Sequence, residues 1–542
     1  MFGKKFARVF MGLMTVVLIL SVVVACGPKA EKPGAELRLN LGTEPPSLDP
    51  SLATDSASIN VLQNIMVGLT HFEPETQKVL PFLAESWETS ADGKVYTFKL
   101  REDAKWTDGK PVTAGDVEYG IKRTLAPETA SDYAYVLYII EGAEAYNTGE
   151  GDADGVAVKA VDDYTLEIKL TDAAAYFPAI AGMWVARPMP KWTIDEHGDK
   201  WTEAENMVSN GPYNLETWEH ENQIVLVKNE DWWGAKDVTI EKVTLHMIQE
   251  DSTGVAMYEN DELDFYGAQI GAIPPADMDR MKTDPELSKQ LNIVPDLATY
   301  YYNFNVTKPP FDDVLVRKAF AASIDRQKLI DTVTKANQEP ATTFTARGVF
   351  GFVPPEDNIG IQYDPEQAKT WLEEAGYPGG AGLPEITLMF NFTEGHQAIA
   401  QFVQAQWKEN LGVEVKLASQ EWKVYLETRQ EDPPQVFRAG WGADYPDANN
   451  FLNEVMHSES PNNDTRWKNE EYDKLVKDAA VEQDPNKRLE MYKRAEQIMC
   501  EEDVATIPFY WYTQSLLAKP WLEYTFLPSG GQEWFNWTIK EH

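Results

Sequence analysis

The segment from Glu385 to Leu417 alternates strand, helix and strand patterns, and this order strongly constrains the fold. Residues 385–390 alternate like a strand, residues 396–411 have helical periodicity, and residues 413–417 again predict a strand. Further helical patterns are found at residues 314–334, 365–375 and 485–500, and further strand patterns at residues 37–41, 95–100, 164–170, 224–227 and 238–246. Strand–helix–strand order is typical of βαβ units, so the sequence predicts an α/β layer structure.

The composition narrows the class of protein. A chain of 542 residues is long enough for two or three domains and a large core. Its formal net charge is −39, which argues against nucleic-acid binding because that function needs a basic surface. The mean hydropathy of −0.42 predicts a soluble body, and the acidity suits an extracytoplasmic location.

The first 25 residues read as a targeting segment. Lys4, Lys5 and Arg8 precede an uncharged apolar run over residues 9–25, and Cys26 follows Val-Val-Ala. Small or aliphatic residues before a cysteine resemble a bacterial lipobox, so we expect a signal peptide over residues 1–25 and a diacylglycerol on Cys26 that anchors the protein to the membrane. The alternative is a signal anchor, for which seventeen residues is the short limit.

The only other cysteine is Cys500, which lies in an amphipathic run. With Cys26 lipidated, no intramolecular disulfide can form, and the fold depends on the size of its core. Cys500 is predicted to be a buried structural thiol.

Residues 420–447 combine aromatic and charged side chains with two glycines. They include Trp422, Trp441, Arg429, Arg438, Asp444, Gly440 and Gly442. Two aromatic walls, two cations and a separate anion suit a ligand with an apolar body and charged ends, such as a zwitterionic peptide. The glycines would let another backbone approach closely, because they lack a Cβ. The alternative interpretation is a tryptophan-rich core strand flanked by surface charges.

Motifs for catalysis or metal binding are absent from the sequence. The seven histidines form no pair such as H-E-x-x-H, and there is no G-x-S-x-G elbow. The glycine-rich run 376–382 follows a predicted helix, whereas a phosphate loop precedes one. We therefore expect a non-enzyme without metal or cofactor. A secreted glycan hydrolase that uses some of the 17 tryptophans as sugar platforms is the alternative from another class.

Several ordered motifs then carry a resemblance to a known family. They are Gly42-Thr43-Glu44 with Ser47-Leu48-Asp49-Pro50, Ala84 to Val117, Ser209 to Tyr213, Thr299 to Arg326, residues 420–447 and Lys519-Pro520-Trp521. The chain from about Leu37 onward resembles the peptide-binding lipoproteins of ABC importers, the family 5 extracellular solute-binding proteins, and within them the oligopeptide-binding members.

This resemblance implies a type II periplasmic-binding-protein-like clamshell, an α/β fold of two lobes with an extra α/β subdomain, whose ligand lies between lobes that close on a hinge. The implied parts are a signal peptide over 1–25, a tether over 26–36, lobe I over 37–72, 191–297 and 511–542, the extra subdomain over 73–190, and lobe II over 298–510. It also implies a monomer that captures oligopeptides and delivers them to the permease subunits of an importer. A sensor of peptide signals without transport is the alternative.

The resemblance assigns the strand segment 440–442 to the main chain of an extended peptide, by strand addition. Asp444 matches the acid that holds the peptide α-ammonium, and Arg438, Arg429 and His396 match positions that serve peptide carboxylates.

The family's side-chain pockets and cleft wall correspond to further residues. Trp422 and Trp441 match pocket walls, while Tyr133 and Tyr301 match cleft tyrosines. Two positions depart from the family pattern. Ser58, which the resemblance places in the ligand-binding site, stands where the first lobe has an acid, with Asp55 nearby. Thr334 stands where a lysine can meet short peptides, with Lys335 adjacent. These departures bear on the N-terminal contact and on peptide length.

Overall fold

The computed structural model describes residues 35–540 except residues 75, 76, 175, 269, 483 and 529. The predicted signal peptide and Cys26 lie outside the described residues. Among the helices of the described part, none has the length and apolar character needed to cross a membrane.

The strands, in chain order, are β1 Glu36–Asn40, β2 Thr70–Phe72, β3 Val79–Pro81, β4 Ala84–Thr89, β5 Val95–Leu100, β6 Val158–Asp162, β7 Thr165–Lys169, β8 Tyr213–Glu219, β9 Gln223–Lys228, β10 Lys242–His246, β11 Phe265–Tyr266, β12 Leu291–Phe304, β13 Glu339–Pro340, β14 Ile386–Asn391, β15 Val415–Gln420, β16 Val436–Gly442, β17 Thr506–Ala518, β18 Leu522–Glu523 and β19 Thr538–Ile539.

The α-helices, in chain order, are α1 Ser56–Ile65, α2 Ala114–Leu125, α3 Ala143–Asn147, α4 Phe177–Ile180, α5 Lys191–His197, α6 Asp251–Glu259, α7 Met278–Thr283, α8 Leu287–Gln290, α9 Val314–Ala322, α10 Arg326–Leu329, α11 Pro365–Glu374, α12 Glu394–Leu411, α13 Trp422–Glu431, α14 Ala448–Met456, α15 Glu470–Val481 and α16 Pro485–Gln497.

Three sheets organise the described part of the chain. One has the strand order β1-β10-β9-β8, and an antiparallel one has the order β4-β5-β7-β6. The largest has the order β11-β17-β12-β16-β14-β15, with β13 also paired to β17. The predicted βαβ unit is confirmed: β14 and β15 are parallel, with Ile386 opposite Val415, and α12 connects them.

Two predictions about secondary structure were wrong in extent. The single helix predicted over residues 314–334 ends at Ala322, and a new helix begins at Arg326. Asp325 causes this restart, because its carboxylate caps the new helix by accepting from the Lys328 N–H at 2.9 Å. The strand predicted over residues 238–246 begins only at Lys242.

The long central strands β12 and β17 pair with an irregular register. Pro295 lies opposite Thr513, and the next pair joins Thr299 to Trp511, so three residues of β12 stand against one residue of β17. Such an irregularity bends a ladder and increases its local twist. The largest sheet is therefore bent close to residues 295–299.

Apolar side chains form several buried clusters around these sheets. The N-terminal sheets share one cluster, while the faces of the largest sheet pack into others, one of which contains Cys500. Cys500 is buried as predicted, and its thiol contacts Glu496 Oε2 at 3.4 Å.

Candidate functional site

A cavity of about 490 Å³ is lined by β16, by the first turns of α1 and α12, and by α13. It brings together nine of the eleven predicted ligand-binding residues: Tyr133, His396, Trp422, Arg429, Arg438, Gly440, Trp441, Gly442 and Asp444. The two residues outside the lining are Tyr301 and Ser58.

One edge of β16 is unpaired where it meets the cavity. β14 pairs with β16 at Val436 and Phe437, and no described strand pairs with β16 on that side beyond Phe437. On the other side, β16 pairs with β12, and just after β16 the Ala443 N–H donates to Leu297 O. In an antiparallel ladder every second residue forms such a hydrogen-bonded pair, so Trp441 and Ala439 are the next residues that bond to β12. Gly440 and Gly442 belong to the intervening pairs, and their N–H and C=O groups therefore point to the unpaired edge.

Asp444 follows this strand and is a half-buried acid without a cation. Its Oδ2 accepts from Asn450 Nδ2 at 2.8 Å, and its own N–H donates to Asn450 Oδ1 at 3.0 Å. Among the described residues no basic group pairs with it. Burial raises the pKa of Asp444 to about 7, although the hydrogen bond from Asn450 opposes this shift.

Arg438 is a buried cation without an acid. Its Nη2 donates to the hydroxyl of Tyr512 at 2.7 Å and its Nη1 donates to Asn391 Oδ1 at 3.3 Å. Its guanidinium carbon lies 5.1 Å from the ring centroid of Tyr300. No carboxylate of the described chain forms an ion pair with it, so the cavity holds an acid, Asp444, and a cation, Arg438, that each lack an ion-pair partner.

Unlike Arg438, neither Arg429 nor His396 presents an uncompensated positive charge to the cavity. The Nε and Nη2 of Arg429 both donate to Asp464 Oδ2, at 2.9 and 2.6 Å. Burial, with a smaller contribution from Arg438, lowers the pKa of His396 well below its ordinary value. His396 is therefore neutral near pH 7 and contacts the Tyr300 hydroxyl through Nδ1 at 3.4 Å.

Aromatic rings form two walls of the cavity. Tyr133 and Trp441 stack with their planes 6° apart and their centroids separated by 6.3 Å. Trp422 opens α13, whose N-cap is Glu421, so its ring projects from a fixed helix terminus.

The predicted lining role of Tyr301 needs correction. Tyr301 is not among the residues that line the cavity. It is 1% exposed and packs edge to face on Phe344, with ring centroids 4.8 Å apart. Its neighbour Tyr300 instead contacts Arg438 and His396.

The predicted lining role of Ser58 also needs correction, because Asp55 occupies the wall. Ser58 is fully buried in α1, and its hydroxyl donates to Asp55 Oδ2 at 2.6 Å. Burial raises the pKa of Asp55, whereas hydrogen bonds from Ser58 and from the Trp422 side chain oppose the rise. Asp55, three residues before Ser58, is the acid that lines this wall. Neither Thr334 nor Lys335 lines the cavity.

Sequence reasoning missed Asn450, Tyr512 and Asp464. Asn450 forms a hydrogen bond with the predicted residue Asp444, and Asp464 forms an ion pair with the predicted residue Arg429. Tyr512 lies on β17, far from residues 420–447 in the sequence. The sequence did contain a signal for Asn450. Asp447 is a good N-cap residue and marks the start of α14, and on that helix Asn450 and Glu454, four residues apart, lie on one face.

Side chains meet across the cavity. Asn462 Nδ2 donates to the Tyr135 hydroxyl at 2.8 Å, and Gln430 Nε2 donates to Asp132 Oδ2 at 3.2 Å. Ser252 Oγ donates to Glu394 Oε1 at 2.6 Å. These contacts join segments far apart in the sequence, so the cavity walls are closed on each other.

With this geometry established, similarity to known proteins identifies the family. The model of the bacterial extracellular solute-binding proteins, family 5 (middle), matches residues 78–463. The chain belongs to this family. It is 37% identical over 545 residues to the oligopeptide-binding protein OppA of Bacillus subtilis, covering 97% of this chain and 98% of that protein. Homologues of the family are solute-binding proteins rather than enzymes.

Two solved relatives confirm the fold class, a type II periplasmic-binding-protein-like α/β clamshell with an extra subdomain. The Escherichia coli murein tripeptide binding protein MppA superposes with a TM-score of 0.89 at 33% identity, covering 94% of this chain and 99% of that one. Haemophilus influenzae OppA in complex with the peptide RPPGFSPFR superposes with a TM-score of 0.87 at 32% identity, covering 94% and 100%.

The same comparison reveals the conformation of this chain. The unliganded open form of MppA superposes with a TM-score of only 0.66, over 94% of this chain and 98% of that one, although its identity is also 33%. Sequence divergence therefore does not explain the difference. Together with the contacts across the cavity, it shows that the present structure is a closed conformation.

Proposed function

We propose that the protein captures oligopeptides in the cavity and delivers them to the permease subunits of an ABC importer. The observation that carries this proposal is the unpaired edge of β16 at Gly440 and Gly442. An extended peptide can add there as a strand, and its main-chain hydrogen bonds are independent of its side chains. The peptide complex of the related OppA from Haemophilus influenzae supports the same ligand class.

Asp444 and Arg438, which both lack an ion-pair partner among the described residues, suit the ends of such a peptide. Asp444 would hold the α-ammonium and Arg438 the carboxylate, so ligand binding would supply each of these groups with the ion-pair partner that it lacks. Arg429 is engaged by Asp464 and His396 is neutral, so we assign them secondary contacts to the carboxyl end, direct or through water.

Opening and closing would occur at the irregular pairing of β12 with β17. Both strands cross the proposed boundaries between lobe I (37–72, 191–297 and 511–542) and lobe II (298–510), and a bent ladder is a place where small rotations are absorbed. The extra subdomain over 73–190 contributes Tyr133 to the wall.

We further propose that the protein is a monomeric lipoprotein held at the extracytoplasmic face of the cell membrane by a lipid on Cys26. The Cys26→Ser variant should appear in the culture medium, whereas the wild-type protein should fractionate with membranes. Membrane retention of Cys26→Ser would contradict the lipid anchor.

Peptide binding tests the main proposal. Calorimetry with unmodified peptides should give dissociation constants from about 1 nM to 1 µM, equivalent to roughly −12 to −8 kcal/mol. Native mass spectrometry of the purified protein should show co-purified peptides and so report their length. If no peptide bound, or if peptides or glycans were converted to products, the proposed function would be wrong.

A further inference from the structure

Asn450 connects the acid and the aromatic wall of the cavity. It is fully buried on α14. Its Oδ1 accepts from Trp441 Nε1 and from the Asp444 N–H, both at 3.0 Å. Its Nδ2 donates to Asp444 Oδ2 at 2.8 Å and to Glu454 Oε2 at 2.7 Å. The side-chain amide thus uses two donor and two acceptor positions.

These partners fix the orientation of the Asn450 amide. An indole N–H and a backbone N–H can only donate, so they require the amide oxygen. The oxygens of Asp444 and Glu454 then lie beside the amide nitrogen, which donates to both of them. Rotating the amide by 180° would break the contacts with the Trp441 indole and the Asp444 N–H, because both of these groups can only donate.

Its position on α14 makes the amide rigid. The Asp447 carboxylate caps this helix by accepting from the Asn449 N–H at 3.0 Å. Glu454 lies one turn beyond Asn450 on the same face, and its other oxygen accepts from the Tyr445 hydroxyl. The network therefore rests on a capped helix and not on a loop, which favours a precise site.

We propose that Asn450 is the positioning residue of the amino-end anchor: it fixes the Asp444 carboxylate and the Trp441 indole as one unit, and thereby sets the selectivity for ligands with a free α-ammonium. This inference rests on the proposed function. With Oδ2 of Asp444 bound by Asn450, Oδ1 is the oxygen left for the ligand. The hydrogen bond also lowers the pKa of Asp444 against the effect of burial, and so favours the charged form that an ammonium needs.

A purely structural role for Asn450 predicts a different outcome. Loss of a buried, fully bonded amide would then lower stability and weaken every ligand alike. A positioning role predicts a specific loss of discrimination between a peptide and its N-acetylated form. The ratio of their two dissociation constants separates these roles.

The test uses one peptide in free and N-acetylated form, measured by calorimetry on the full chain. In Asn450→Ala the ratio should fall by about 10- to 100-fold, as expected for losing a hydrogen bond to a charged group. Asn450→Ser keeps one donor and one acceptor, is the more conservative variant for folding, and should show a smaller fall. Thermal melting reports whether each variant is folded.

Asn449→Ala is the matched control. Asn449 is also buried on α14 and also contacts Glu454, but its amide nitrogen bonds Tyr445 and Glu454 rather than Asp444 or Trp441. This variant should keep the wild-type ratio. A wild-type ratio in folded Asn450→Ala or Asn450→Ser, or an equal fall in Asn449→Ala, would overturn the inference. A wild-type protein that binds both forms equally would instead refute Asp444 as the ammonium anchor, and one that binds neither would refute the proposed function.

Discussion

Nη2 of Arg438 donates a hydrogen bond to the Tyr512 hydroxyl over 2.7 Å, and this neutral group takes the place that a carboxylate would hold around a buried guanidinium. The phenol belongs to β17, two strands away from β16 in the same sheet. A neutral oxygen holds the cation in place without cancelling its charge. Arg438 therefore stays available to a ligand carboxylate.

Replacing Arg438 should weaken peptides that carry a free carboxyl end. Arg438→Met should cost about 2–5 kcal/mol of binding free energy, because it leaves the ligand carboxylate buried and unpaired. Tyr512→Phe removes one neutral hydrogen bond and should cost about 0.5–1.5 kcal/mol. Calorimetry with a free peptide and its C-terminal amide checks both values. An equal loss for the amide would contradict the contact with the carboxylate.

The stability of the empty protein should fall as pH rises from about 4 to about 8. Burial raises the pKa of Asp444 to about 7 and that of Glu454 to about 8, both above their values in an unfolded chain. A raised carboxyl pKa gives stability that is present below the unfolded pKa and lost as pH rises through the folded pKa. Asp444→Asn should remove part of this slope and gain about 1–3 kcal/mol at pH 8, measured by denaturant unfolding at several pH values.

The affinity for peptides should depend on pH in the opposite direction to stability: it should rise as Asp444 loses its proton. An ammonium binds the ionised form of Asp444, which Glu454 and Tyr133 face as the neighbouring titratable groups. Below about pH 7, binding must therefore release a proton, and the affinity should fall by up to about tenfold per pH unit. Calorimetry at pH 6 in two buffers of different ionisation enthalpy detects the proton. An N-acetylated peptide should release none.

Part of the site could be predicted from residues 420–447, because residues that are neighbours in one strand and in the turn after it are also neighbours in space. Gly440, Trp441 and Asp444 needed no knowledge of distant segments. The three consecutive tyrosines, Tyr300 to Tyr302, could not be interpreted in this way. Alternation places adjacent residues on opposite faces, but the pairing of β12 with β16 decides which of the tyrosines lies beside Arg438.

The sequence also could not predict which polar side chains are buried or which of them form ion pairs. Arg429 and Arg438 looked equivalent, yet Asp464 neutralises one and not the other. His396 was expected to serve a peptide carboxylate, but burial lowers its pKa well below the ordinary value, so the ring is neutral near pH 7. Such differences arise from tertiary contacts, since a pKa depends on desolvation and on nearby charges.

Substitution by alanine should affect peptide binding differently at Gly440 and at Gly442. A Cβ on Gly440 would lie 2.9 Å from Arg438 Nη2 and 3.2 Å from the Tyr512 hydroxyl, whereas a Cβ on Gly442 would meet its nearest atom at 3.9 Å. Gly440→Ala must displace the guanidinium and should weaken free-acid peptides about tenfold or more, by roughly 1.4 kcal/mol. Gly442→Ala, the matched control, should fold normally and change the affinity less. Equal effects of the two would contradict this account of Arg438.

The contact between Ser252 and Glu394 should favour the closed state. The carboxylate of Glu394 accepts from Ser252 N–H at 3.2 Å and from Ser252 Oγ at 2.6 Å, and so caps the first turn of α6 from the first turn of α12. The two helices belong to opposite proposed lobes, so opening would separate them. A contact made in one state shifts the population toward that state by its free energy.

Glu394→Gln or Ser252→Ala should therefore reduce peptide affinity by about 0.5–1.5 kcal/mol without changing the selectivity for free over acetylated peptides. Glu414→Gln is the control, because Glu414 pairs with Lys408 on the surface and does not cross the cavity. Small-angle scattering with and without peptide should show a larger share of the open form in the two variants at equal subsaturating peptide. Unchanged scattering and affinity would mean that this contact forms without contributing to closure, and that the ligand itself supplies the energy that holds the lobes together.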